Sequence, residues 1–518
     1  MRKVRRKTTD PTARTYLLKA KKEGLDLSWN RLEKMMPQDG FGLLGLTCQE
    51  CLQGPCRLNP FQLEETATVC GFTRDDLVFN GLFRQVSKVS RLVETTHILL
   101  QRLAQKNSAD EVDQRSLKTK ADSWMITDET NESAGWIKKA WELTGPLSGF
   151  GLKTAGDRLS LLFAAAARYI SLLKFNAELL ELLNGTSLLT DRSIGLSNLQ
   201  SDSINVCFDG VSPVVLDLAA EAAGELKAEA VNSGIPGAYN LLLVGDFSLN
   251  HDYNVVSNQG TVEFALLSGI VDLYLVGRES ISRGRNLTGK FQTLFAECTA
   301  LTTKDELKKL FRQAIESLKK RKKNLVNMNS DLVTVSIGYT FNPAIIENAG
   351  KKGIIKGLCI IASGSNVKVT NDEMAVKIAK SLSAQSILCL SYGNTAVTLG
   401  RYGCLAKSEQ KAGFMEFPQS DLANHPVTYC LGGELAVSAA VELVQTISRL
   451  KVTAVFPEMT EVSDIQAALG FADAGAKVFT GVKLPLDGSE ALSKELGEVI
   501  QYCTPEDITE KILRYFSQ

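Results

Sequence analysis

Four cysteines crowd one stretch of this 518-residue chain, GLTCQECLQGPCRLNPFQLEETATVCGF, where Cys48, Cys51, Cys56 and Cys70 are spaced C-x2-C-x4-C-x13-C. Four thiolates so placed can complete the shell of one tetrahedral metal ion or of one cubane cluster. Two residues between Cys48 and Cys51 let both sulfurs face one centre. Gly54 and Pro55 bend the chain so that Cys56 returns to it, and Cys70 closes the shell. Spacing alone leaves zinc and iron–sulfur both open, with a zinc knuckle as the structural alternative. The other seven cysteines are scattered irregularly, which is no disulfide framework in a chain of this size, so a reducing cytoplasm is the expected setting.

The elements that must position these thiols read as helical. In LVFNGLFRQVSKVSRLVETTHILLQRLAQ, Leu82, Val86, Val89, Leu92 and Val93 fall on one helical stripe. RLSLLFAAAARYISLLKFNAELLELLNG is a second long apolar helix, stopped by Asn184-Gly185. Beyond it the pattern changes. SINVCFDGVSPVVLDLAAEAAGELKAEA is an apolar run, a Gly turn and a helix, and YNLLLVGDFSLN and IVDLYLVGRES repeat the run and the turn. GLCIIASGSN, SILCLSYGN, VTYCLGGE and VTAVFPEM do so again after a charged helix over Asp305–Lys323. Strands alternating with helices, each strand ending in a Gly or polar turn, predict parallel sheets with sites beyond the strands' carboxyl ends. The fold class is α/β and multidomain: a helical domain over 1–195 carrying the cysteines, then two Rossmann-like parallel-sheet domains over 196–350 and 351–518, joined near Thr340 to Gly357.

Composition narrows the function. Lys plus Arg equals Asp plus Glu at 58 each, so no global field points to nucleic acid or an anionic membrane. The lysines of DELKKLFRQAIESLKKRKKN fall opposite an apolar stripe of Leu307, Leu310, Phe311, Ala314, Ile315 and Leu318, the pattern of a packed helix with a solvated face. No apolar run reaches the ~20 residues of a membrane span, and no apolar segment of a secretory signal follows the basic MRKVRRKTTD. No Gly-rich phosphate loop of either familiar kind is present.

GFGLLGLTCQECLQGPCRLNPF followed by TVCGFTRDDLVFNGLFR resembles the amino-terminal region of nickel–iron carbon monoxide dehydrogenases. The resemblance continues in order through GAYNLLLVG, SGIVDLYLV, KGLCIIASGSNVKV, SILCLSYGNTAVTLGRYGCL, PVTYCLGG, FPEMTEVSDIQAALG and GEVIQYCTPEDITEKI. It implies that Cys48, Cys51, Cys56 and Cys70 hold a [4Fe-4S] electron-relay cluster, and that one helical and two Rossmann-like domains assemble as a homodimer. Members of the family also share a second cubane across the dimer interface. Its cysteine positions here are Asp39 and Thr47, so that cluster is expected to be absent.

The family's nickel–iron centre needs one histidine and five cysteines at strand ends. The corresponding positions here are Val211 for the histidine and Leu243, Ser280, Gly364, Asn394 and Gly433 for the cysteines. The lysine and histidine that act beside the centre fall near Ser463 and Val93. Soft metals need thiolates, and Val, Leu and Gly offer no ligand atom, so no nickel and no carbon monoxide oxidation are expected. Cys207, Cys359, Cys389 and Cys430 lie close to the former ligand segments, yet Cys359 and Cys389 sit in apolar strands where a free thiol acts as a small hydrophobe.

Three readings of function follow. The first is an electron-transfer or redox-partner subunit that passes electrons between a ferredoxin-like or other redox protein and a docked partner. The second is an enzyme of different redox or acid–base chemistry in the vacated cleft, drawing on Asp209, Asp246, Ser280, Ser365, Asn366, Asn394 and Glu434; as helix caps these same residues would need no such role. The third is a structural subunit whose cluster only staples the fold. His97, His251 and His425 form no spacing motif and take no ligand role.

Overall fold

The computed structural model describes residues 6–62, 66–108, 112–126, 155–185, 189–278, 282–321, 332–405 and 427–518, with isolated positions between them. His425 lies outside the described residues.

Two short strands, β1 (Thr47–Cys48) and β2 (Cys56–Arg57), make a small antiparallel hairpin. The remaining strands are β3 (Thr190–Ile194), β4 (Ile204–Asp209), β5 (Tyr239–Val244), β6 (Asn254–Ser257), β7 (Leu273–Gly277), β8 (Leu294–Cys298) and β9 (Val333–Ile337), then β10 (Gly357–Ile361), β11 (Ile387–Ser391), β12 (Tyr429–Cys430), β13 (Lys451–Phe456), β14 (Lys477–Thr480) and β15 (Ile500–Tyr502). They form one sheet of 13 strands in the order β15-β14-β13-β10-β11-β12-β9-β3-β6-β5-β4-β7-β8. Every pairing in it is parallel except β3 with β9, where Thr190 faces Ile337 and Ile194 faces Val333. That antiparallel seam joins two runs of parallel strands into a continuous α/β sheet. Strands such as LYLVG, GLCII and ILCLS are buried along their whole length, because helices cover both faces of a parallel sheet.

The 30-residue helix Ala155–Asn184 packs on Ser90–Ser108, Val462–Asp473 and Ala436–Thr446, tying the amino-terminal helices to the second run of strands. Between its faces Thr96 donates to Asn176 at 2.7 Å. The charged helix is described over Lys304–Lys320 and starts with a Thr303–Glu306 capping box. Its Leu307, Phe311, Ala314 and Ile315 are buried, while Lys304, Lys308 and Arg312 pair with Glu221, Glu225 and Glu229 of the helix Pro213–Asn232. The basic face is therefore matched by a neighbouring acidic one. Among the described residues no helix is long and apolar enough to cross a membrane.

The helix Gly40–Leu44, just before the hairpin, ends on Gly45 with φ +76°. A Cβ there would sit 2.4 Å from the Pro485 carbonyl oxygen, and Gly488 N donates to Leu44 O at 2.9 Å. We expect Gly45→Ala to cost about 2–4 kcal/mol, from a left-handed backbone plus a backbone clash. A thermal or denaturant melt showing no loss would contradict that close approach.

Candidate functional site: a thiol hairpin and a strand-end cavity

Cys48 and Cys56 face each other across the β1–β2 hairpin. The hairpin is sewn down by apolar residues beside the thiols: Leu46 and Leu58 are buried, and Leu58 N donates to Leu46 O at 3.2 Å. Cys70 lies just ahead of the helix Arg74–Val86, which Thr73 caps and which buries Leu77, Val78 and Leu82 against the same core. Cys51 and Cys70 are exposed, Cys48 and Cys56 half-buried. The four sulfurs sense one another. Burial raises the Cys48 pKa, Arg84 pulls it back, and Cys56 and Cys51 add to the rise. Cys70 is likewise raised, by desolvation and then by Cys51, to which it is hydrogen bonded, and by Cys56 and Cys48. Neighbouring thiolates repel, and a bound cation relieves that repulsion. No three His, Cys, Asp or Glu side chains among the described residues converge on a single-ion point. A cubane keeps its thiolates farther apart than one ion does, because the iron–sulfide core lies between them. Three thiols of the hairpin with Cys70 beside them are the donor set that such a group takes.

Asp39 accepts from Phe41 N at 3.3 Å and Gly42 N at 3.1 Å, so its carboxylate is engaged in capping the helix Gly40–Leu44. Apolar side chains stand out around the hairpin: Met35, Met36, Leu43, Leu52, Phe61 and Val69 are all exposed.

The second feature is a cavity of about 650 Å³ at the carboxyl ends of the strands. Val211, Leu243, Ser280, Gly364, Asn394, Gly433 and Ser463 all line it, and none of them supplies a sulfur or an imidazole. Seven positions matched one by one in the sequence are thus brought to one wall. Val93 is not among the lining residues; its helix presents Arg91, Leu92 and Thr95 to the cavity. Two of the glycines are fixed by crowding. A Cβ on Gly433 would lie 2.2 Å from Phe247 O and 2.6 Å from Asp246 Oδ1, and one on Gly364 would lie 2.7 Å from Thr460 Cβ. A cysteine at either place would require the facing turn to move.

Charge now occupies the cavity. Arg91 forms an ion pair with Glu434, which also accepts from Tyr169 OH at 3.0 Å. The Glu434 carboxylate holds Arg91 more firmly charged, while burial, then Glu434, raises Tyr169. Asp246 is pushed up to about 7 by burial and by Glu434. Glu461 is pushed up to about 7 by burial and by Asp464. Asp464 is raised by burial despite accepting from Thr460 N at 2.6 Å, Glu461 N at 3.0 Å and Gly364 N at 3.2 Å. Carboxyl groups poised near neutrality can give and take protons.

Other candidates have structural work. Asp209 is buried behind Gly210, accepts from Tyr274 OH, and is pushed up to about 6 by burial. It does not share the cavity wall with Asp246. Asn394 takes Gln259 N at 2.7 Å and gives to Ser365 Oγ at 2.9 Å. Asn366 donates to Met459 O at 2.6 Å and accepts from Lys368 N at 2.9 Å, fastening a turn. Cys207, Cys359, Cys389 and Cys430 are buried, with Cys359 paired to Cys389 across β10 and β11. Burial pushes Cys359 and Cys430 up to about 12, and Cys207 and Cys389 upward as well. They are thiols in the sheet core, far from the thiolate state a metal needs.

His97 is exposed and lies 3.0 Å from Gln101 Nε2. His251 is different. Its Nδ1 is 2.8 Å from Ser248 Oγ and its Nε2 is 2.8 Å from Asp217 Oδ1, a grouping with no signature in the sequence beyond Ser248 and His251 lying one turn apart.

No family model matches the chain. It is 26% identical over 500 residues to carbon monoxide dehydrogenase 2 of Carboxydothermus hydrogenoformans, covering 78% of this chain and 76% of that one. It is 22% identical over 587 residues to carbon monoxide dehydrogenase 1 of Methanosarcina mazei, covering 95% and 93%. Among solved structures, carbon monoxide dehydrogenase IV from C. hydrogenoformans superposes with a TM-score of 0.80 at 20% identity over 99% of both chains. The chain is thus similar to carbon monoxide dehydrogenases over most of its length. A nickel-free dehydrogenase of the same family from Thermococcus sp. AM4 superposes with a TM-score of 0.82 at 19% identity, over 99% of this chain and 96% of that one. The α/β architecture is that of the family, shared across most of its length.

Proposed function

We propose that this protein is a [4Fe-4S] member of the carbon monoxide dehydrogenase family that transfers electrons, or serves as a redox-partner subunit, without oxidising carbon monoxide. Cys48, Cys51, Cys56 and Cys70 would hold the cluster, and no nickel is expected. The observation that carries this reading is an asymmetry. Three thiols on the hairpin stay close to Cys70 beside it, while the seven positions matched to the family's centre line one cavity and offer it neither a thiol nor an imidazole. The organisation we assign is a helical domain over 1–195 followed by Rossmann-like units over 196–350 and 351–518. Eleven free cysteines support a reducing cytoplasmic setting. The exposed apolar residues around Cys51 and Cys70 are the surface on which a ferredoxin-like or other redox protein, or a second copy of the chain, would dock.

The test is an anaerobic assay of viologen dye reduction under carbon monoxide, beside a redox titration read by electron paramagnetic resonance. We expect background dye reduction, after nickel supplementation as well, and a reversible low-potential couple. Carbon monoxide-dependent turnover would overturn the first half. A cluster that neither accepts nor returns an electron would leave it a staple of the fold and overturn the second half. The cavity itself favours one further reading, acid–base or redox chemistry on a small molecule, because Asp246 and Glu461 face it with pKa values near neutrality.

A further inference from the structure

On the wall of the same cavity we propose a nucleophilic serine: Ser248, activated by His251 and Asp217, attacks uncharged short-chain carboxylic esters. Ser248 lines the cavity, as do its neighbours Phe247 and Leu249. The hydrogen bonds fix the roles. Asp217 Oδ2 accepts from Arg102 Nη1 at 2.7 Å, which leaves its other oxygen to accept from the imidazole. Its Oδ1 lies 2.8 Å from His251 Nε2, so that nitrogen carries the proton. Nδ1 is then a lone-pair acceptor, 2.8 Å from the Ser248 hydroxyl.

The imidazole is buried and its ring stacks on Tyr253 at 5.0 Å, while the backbone carbonyl of His251 accepts from Arg192 Nη2 at 2.7 Å and fixes the main chain there. Nucleophile, base and orienting carboxylate stand in the order that serine acyl transfer needs, with the two ring nitrogens exchanged relative to the usual arrangement. Asp217 is a positioning residue; Ser248 and His251 do the chemistry.

The step balances without a cofactor. Ser248 Oγ bonds to the ester carbonyl carbon while its proton passes to Nδ1. The C–O bond to the alcohol breaks, and Nδ1 protonates the departing oxygen. Water, giving its proton to Nδ1, then cleaves the acyl-serine, releasing the acid and restoring the hydroxyl. The substrate class follows from the walls. Leu216, Phe247, Leu249 and Phe341 suit a short apolar acyl or alkyl group, and the cavity's Arg91 and Glu434 pair with each other rather than with a charged substrate.

The test uses the full-length protein with an uncharged dialkyl fluorophosphate and with p-nitrophenyl acetate. Phosphorylation of Ser248 with loss of fluoride, located by peptide mass, is the expected result. Ser248→Ala should lose both the adduct and the ester hydrolysis. His251→Gln should slow labelling by roughly 10²-fold or more. If His251→Gln fails to fold by circular dichroism, Asp217→Asn is expected to slow labelling in its place. Folded wild-type protein with no adduct on Ser248, or a folded His251→Gln protein labelled at the wild-type rate, would overturn the proposal. Neither result bears on iron content or carbon monoxide turnover, so this inference and the redox reading fail separately.

Discussion

Cys56→Ser is expected to leave the protein with little or no cluster, whereas the anaerobically purified parent carries about four irons and matching labile sulfide per chain. Cys56 stands in β2 opposite Cys48, and a serine there replaces a soft thiolate with a hard hydroxyl that does not ionise near neutrality. A cluster held only by the folded hairpin and Cys70 would stabilise the native state, so its loss should also lower the melting temperature, and a chelator should bring the parent down toward the variant. The control is Cys359→Ser, a thiol buried in the sheet core away from the hairpin. It should keep its iron even if packing suffers. A Cys56→Ser protein with undiminished iron and sulfide, or a parent isolated with about one zinc and no sulfide, would refute the cluster assignment.

The sequence shows the parts built from contiguous signals. SILCLSYGN reads as a buried strand running into a turn, and Ile387–Ser391 is that strand. The cysteine spacing likewise announces that four thiols can gather, since all lie within one local stretch, but the two-stranded hairpin there falls in a region that reads as helical. What escapes the sequence is nonlocal. The β3–β9 seam pairs Thr190–Ile194 with Val333–Ile337, and TDRSI, polar at every residue but the isoleucine, carries no mark of a central strand. The partner of Arg91 is Glu434, 343 positions away. Similarly, His251 gains a role only because the helix Pro213–Asn232 brings Asp217 to it. Polar pairings of this kind depend on where two elements dock, and hydrophobic periodicity does not encode them. The seven cavity positions are legible only through family resemblance, and because the β3–β9 seam sets the two parallel runs in opposite directions, their meeting in one cavity depends on how the two runs pack, which no local pattern encodes.

The redecorated cavity has a thermodynamic consequence, and Asp246→Asn isolates it. In the unfolded chain an aspartate ionises near its ordinary value of 3.8, whereas in the fold Asp246 is pushed up to about 7, first by burial and then by Glu434. Between those values the folded protein retains a proton that the unfolded chain has released, so stability falls as pH rises toward 7 and then levels off. Each tenfold change in the ionisation equilibrium corresponds to about 1.4 kcal/mol, but Asp246 faces an open cavity whose solvent screens part of this. The net gain for Asp246→Asn at pH 8 should therefore be about 1–3 kcal/mol. The asparagine keeps an oxygen to accept from Phe247 N, as Asp246 Oδ1 does at 2.8 Å, so local geometry survives. Denaturant melts should show the variant more stable than the parent at pH 8, with the gap closing as pH falls toward 4. A gap that stays constant with pH, or a variant less stable at pH 8, would mean that Asp246 is ionised without penalty in the fold. The cavity would then have no carboxyl group poised for proton transfer at this position.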